Sequence, residues 1–111
     1  KWGAQATRLA NEAGVRVTTG TDWFEPRDDF ELPHTHAELA LLVELAGFSP
    51  MQAVVAGTRN GAIALGLEKT HGTIVTGKIA DLLVLEANPI DDIHNTTQIR
   101  FTVRKGRIVD L

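Results

Sequence analysis

The sequence predicts an α+β chain in which helices come first and a small β-sheet follows. Three observations carry that expectation. Up to Gly72 the chain is rich in Ala and Leu at helical spacing, with capping residues in front of each run and glycines behind. After Gly72 the composition turns to Val, Ile, Leu and Thr in short runs punctuated by Gly. Residues 3–22 read as a helix, a Gly stop and a strand, which is half of an α/β repeat.

Each element has a local reason. Ala6, Leu9, Ala10 and Ala13 share one face of a helix over residues 3–13, and Gly14 stops it. Val15-Arg16-Val17-Thr18-Thr19 alternates and is β-branched, so it predicts a strand running into Gly20-Thr21-Asp22. Residues 23–35 read as a loop, with Pro26, Pro33 and Asp28-Asp29. Thr35 with Glu38 reads as a capping box for a helix over 37–46, stopped by Gly47. Its Leu39, Leu41, Leu42, Val43 and Leu45 predict burial on most sides. Ser49-Pro50-Met51-Gln52 repeats the start signal for a helix to Ala56, and Thr58 is expected to cap another from Arg59 to Leu65, closed by Gly66.

Four strands are expected, at Ile74-Val75, Leu82–Leu85, Ile99–Val103 and Arg107–Val109. Lys105-Gly106 is a two-residue hairpin turn between the last two. Leu82-Leu83-Val84-Leu85 lacks alternation and predicts cover on both faces. Asn88-Pro89 breaks the chain, and Asp91-Asp92-Ile93 predicts a helical turn.

Composition narrows the function classes. The chain has 111 residues, 43% of them hydrophobic and 23% charged, an ordinary balance for one folded unit. A formal charge of −3 argues against a nucleic-acid partner held by bulk charge. No cysteine is present, so disulfide and thiolate chemistry are excluded. No apolar run is long enough to span a membrane, and no signal peptide is visible, which weighs toward a cytoplasmic location. An eight-stranded α/β barrel needs on the order of 200 residues or more, beyond this length.

Asp22 is the first chemical candidate. A carboxylate at the carboxyl end of a strand sits where ligands bind, and it can hold a metal or move a proton. The competing reading is an Asp in a turn bonded to nearby N–H groups. His34 and His36 are the second candidate: at i and i+2 they would point together on a strand, but they stand at a helix start. There they read first as a loop and first-turn pair of solvent-facing histidines, and a shared metal is the lesser reading. His71 and His94, Glu31, Asp28-Asp29 and Asp91-Asp92 read as loop residues. Gly72-Thr73-Ile74-Val75-Thr76-Gly77-Lys78 lacks the spacing of a phosphate loop and reads as turns.

Taken together, the ordered stretches are distinctive. Gly20-Thr21-Asp22 is followed by Glu38-Leu39-Ala40-Leu41-Leu42-Val43, Gly47-Phe48-Ser49-Pro50-Met51-Gln52-Ala53 and Thr58-Arg59-Asn60-Gly61-Ala62. Then come Gly72 to Leu85, Asn88-Pro89 and Val103-Arg104-Lys105-Gly106-Arg107-Ile108-Val109. This set resembles the amidohydrolase superfamily, in its branch of imidazolonepropionase-like enzymes and metal-dependent Xaa-Pro or Xaa-Arg dipeptidases.

The resemblance implies a C-terminal part of a (β/α)₈ hydrolase. Residues 1–71 would match the last barrel strand and its flanking helices, and 72–111 the C-terminal segment of a β-sandwich. It implies hydrolysis of a C–N bond in a peptide-like or cyclic amide, with zinc or a similar divalent metal. Asp22 matches the aspartate that ligates metal and shuttles the proton. Trp23, His34 and His36 fall on a loop that lines the substrate pocket in that family, and Asp81 matches a structural position. The family's other ligands, a His-x-His among them, precede this region, so the chain alone is expected to be inactive, and the divalent metal is expected of the intact enzyme. Two alternatives stand beside this. One is a domain without catalysis that self-associates, because apolar faces of a barrel piece lack cover. The other is a new metal site built from Asp22, His34 and His36.

Overall fold

The computed structural model describes residues 2–22 and 33–109. Helices precede a three-stranded sheet, as the composition predicts. α1 spans Trp2–Glu12, α2 His34–Glu44, α3 Pro50–Val55 and α4 Gly61–Ala64, with a π turn at Ala56–Asn60 joining the last two. β1 is Leu82–Leu85, β2 Ile99–Arg104 and β3 Arg107–Val109, and a 3₁₀ turn at Ile93–Thr97 precedes β2.

Where the signals were local, the elements form as read. α1 ends with Gly14 N–H on the Asn11 carbonyl and Val15 N–H on the Ala10 carbonyl, the paired bonds of a Schellman stop. α4 ends in the same way at Gly66. Ser49 Oγ accepts the Gln52 N–H at 3.2 Å while Gln52 Oε1 accepts the Ser49 N–H at 2.8 Å, a complete capping box. Lys105 and Gly106 both take positive φ, the signature of a type I′ hairpin. Asp92 caps the 3₁₀ turn through the His94 N–H.

Four expectations are corrected. Val15–Thr19 forms no strand, because among the described residues no neighbouring strand completes its ladder. Its Val17 carbonyl and Thr19 N–H bond instead to Asn60 and the Ala56 carbonyl. Ile74-Val75 is likewise not a strand, and Ile74 is 88% exposed. Thr58 caps nothing: the helix runs on through the π turn, and the Thr58 hydroxyl donates back to the Val54 carbonyl at 2.7 Å. Thr35 and Glu38 make no capping box, since α2 starts at His34 behind Pro33, which has no side-chain cap bond. Glu38 is engaged elsewhere.

The core lies among α2, α3, the π turn and the 3₁₀ turn. Leu39, Ala40, Leu42, Ala46, Phe48, Ala53, Ala56 and Ile93 form it, and Val17, Val43 and Val54 pack against it. Ala53 and Ala56 are fully enclosed, which brings the helix backbones close. Burial of α2 is narrower than its leucines suggest, because Leu41 and Leu45 face outward at 45% and 54% exposure. α1 buries no residue. The sheet is antiparallel in the order β1-β2-β3, with a register shift between Val84 and Leu85. Leu83 remains exposed, so β1 is not covered on both faces.

Candidate functional site

The segment 15–22 has lost the form of a strand but not a fixed place. Val17 packs on the core. Asn60 Nδ2 donates to the Val17 carbonyl at 2.7 Å, from the end of the π turn. The Ala56 carbonyl, in the same turn, accepts the Thr18 hydroxyl at 3.2 Å and the Thr19 N–H at 3.4 Å. A π turn disturbs the regular helix ladder, which leaves room for such external donors. The Gly20 N–H then lies between both carboxylate oxygens of Glu38, at 3.0 and 3.2 Å. Three anchors from two helices therefore lead the chain to Asp22.

Asp22 is exposed and takes φ +49°, a left-handed conformation that Asp tolerates better than most residues. Among the described residues none donates a hydrogen bond to its carboxylate. The N–H groups that an Asx turn at Asp22 would use belong to residues outside the described ones. His34 and His36 occupy the first turn of α2. Two residues apart on a helix, their directions differ by about 200°, so the shared orientation of a strand is lost. The Nδ1 atom of His36 is buried without a hydrogen-bond partner. No three His, Asp or Glu side chains stand close enough to hold a metal among the described residues. The structure does not gather Asp22, His34 and His36 into one centre. Trp23 lies outside the described residues.

The remaining candidates resolve as structural. Lys78 Nζ donates to the carbonyls of Glu68 and His71 and to Thr73 Oγ1, so it ties the 68–78 turns together instead of meeting a phosphate. Asp81 Oδ1 accepts the Lys105 N–H at 2.7 Å and supports the hairpin turn. His94 pairs with Glu44 at 2.8 Å, joining the 3₁₀ turn to α2. His71 faces Asp81 at 3.8 Å and shares 2.8 Å with Thr70.

The sequence profile of the Amidohydrolase family matches residues 3–109. The chain belongs to that family. It is 41% identical over 82 residues to an imidazolonepropionase of Rubrobacter xylanophilus, covering 72% of this chain and 19% of that protein. It is 39% identical over 79 residues to a 5-methylthioadenosine/S-adenosylhomocysteine deaminase of Moorella thermoacetica, covering 67% of this chain and 18% of that one. Its fold is similar to a crystal structure of a Xaa-Pro dipeptidase with bound methionine in the active site. That match has a TM-score of 0.83 and 29% identity, and covers 97% of this chain and 25% of the dipeptidase. This amidohydrolase chain therefore spans about a quarter or less of the relatives it matches.

Glu38 and Asn60 are the residues whose roles sequence reasoning missed. Their partners Gly20 and Val17 lie 18 and 43 residues away, and no local pattern signals such a pairing.

Proposed function

We propose that this chain is the C-terminal part of an amidohydrolase that cleaves a C–N bond in a peptide-like or cyclic amide, with Asp22 at the reaction centre. The observation that carries the reading is the anchored arm 15–22, which presents at its end an exposed carboxylate with no hydrogen-bond donor among the described residues. In this reading the arm corresponds to the last barrel strand, and residues 72–111 to the sandwich segment. Asp22 accepts a proton from the water that adds to the carbonyl carbon. It returns that proton to the nitrogen as the C–N bond breaks, the ordinary work of a positioned carboxylate. His34, His36 and Trp23 border the substrate.

The family generally uses divalent metals, and zinc is the ion we favour for the whole enzyme. One carboxylate is not a metal site, however, and the described residues hold no group of three ligands. The described residues thus do not fit a metal by themselves.

The test is a graft. Residues 3–109 replace the matching quarter of the Xaa-Pro dipeptidase, and the product is expected to keep hydrolysing Xaa-Pro dipeptides. A folded but inactive graft sinks the assignment. The 111-residue chain alone is expected to hydrolyse none of them; metal-dependent turnover that disappears in Asp22→Ala would reverse that expectation.

A second observation favours self-association of the isolated chain. Leu9, Leu41, Leu45 and Ile108 are among the exposed apolar side chains. Native mass spectrometry should show a homo-oligomer, and a monomer at high concentration would count against it.

A further inference from the structure

We propose that Glu38 is the positioning residue for Asp22, acting through the Gly20 N–H. This rests on the reading of Asp22 as the proton-carrying carboxylate. Among the described residues the Gly20 N–H finds its acceptor in Glu38 and not in a strand. Glu38 supplies both oxygens at 3.0 and 3.2 Å, a charge-assisted bond of the stronger kind. The base of Glu38 is itself fixed, because Leu39 and Ala40 beside it are buried in the core.

Position along the arm separates Glu38 from the other anchors. Asn60 and the Ala56 carbonyl hold Val17, Thr18 and Thr19, all on the α3 side and upstream. Glu38 is the last anchor before Asp22 among the described residues, and it comes from α2. Asp22 lies two positions beyond Gly20, a reach of about 7 Å at full extension. Asp22 must also hold φ +49°, which an unanchored segment would abandon for the commoner extended or helical regions. Without Glu38, the anchor nearest to Gly20-Thr21-Asp22 among the described residues is the one at Thr19. The carboxylate then samples many places where one is needed, and a misplacement of about 1 Å can cost a hundredfold in rate.

Two substitutions divide the roles. Glu38→Ala removes the acceptor, whereas Glu38→Gln keeps a carbonyl oxygen that can accept the same N–H. In the 111-residue chain, E38A is expected to shift the Gly20 amide resonance and abolish its protection from hydrogen exchange, with the amides of β1 and β2 unchanged. E38Q should retain that protection. In the dipeptidase graft, E38A is expected to lower kcat by roughly 10- to 100-fold with little change in KM for an Xaa-Pro dipeptide, and E38Q to recover most of the loss. If E38A fails to fold, Glu38→Asp answers the same question by drawing the carboxylate back one methylene. A Gly20 amide indifferent to E38A and E38D overturns the inference, as does an unchanged kcat in a graft that Asp22→Asn inactivates. A graft indifferent to Asp22→Asn instead overturns the role of Asp22 and leaves the Gly20–Glu38 contact standing.

Discussion

Replacing Gly72 with alanine is expected to destabilise the fold by about 3 kcal/mol or more, seen as a fall in the urea midpoint with unchanged slope. Two costs act together. Gly72 has φ +89°, where an L side chain crowds its own backbone. A Cβ built there would also lie 2.5 Å from the Cβ of Ala62, 3.2 Å from the Arg59 Cα and 3.2 Å from the Thr58 carbonyl oxygen. The last two belong to the backbone of the π turn and cannot rotate away. A domain of this size holds only about 5–15 kcal/mol in total, so the loss is a large fraction of it. Ala62→Gly placed under Gly72→Ala removes the nearest atom but leaves the φ strain and the backbone contacts. The pair should therefore be less destabilised than the two single changes summed, even though a helical glycine itself costs about 1 kcal/mol. An unchanged midpoint in Gly72→Ala would mean that the turn at Gly72 does not rest on the π turn at all.

The same contrast between local and distant partners explains what the sequence revealed. Ser49 and Gln52 satisfy each other within one helical turn, and Lys105-Gly106 bends the chain within two residues, so both were legible. Thr35 and Glu38 have the same spacing as Ser49 and Gln52, yet Glu38 gives its carboxylate to Gly20 across 18 residues. A capping box and a tertiary acceptor are identical in letters. The strand expected at Val15–Thr19 failed for a related reason. β-Branched alternation describes what a residue prefers beside a partner strand, and here the partners are Asn60 and the Ala56 carbonyl. Ile74-Val75 shows the limit further, since two apolar residues with no neighbour to pair are left facing solvent. Asp22 could be singled out from its place after the arm. Its companions in a reaction centre could not, because a single carboxylate specifies no second ligand.

Asp22→Asn in the dipeptidase graft is expected to lower kcat on the order of 10²–10⁴, the usual worth of a positioned acid–base group. The change is nearly isosteric, and Asn tolerates the left-handed φ of this position as Asp does. Asp22 is exposed, and among the described residues nothing donates to its carboxylate, so thermal stability should not move. That separation gives the experiment its force: a large kinetic loss without a stability loss assigns the carboxylate to the reaction. Asp22→Glu restores the charge but displaces it by one methylene and suits positive φ less well, so it should recover only part of kcat. Were Asp22→Asn to turn over at the rate of the unaltered graft, the proton would have to travel by another group. The anchored arm would then be explained by packing alone, and the exposed apolar faces of α1 and α2 would make assembly the stronger account of the isolated chain.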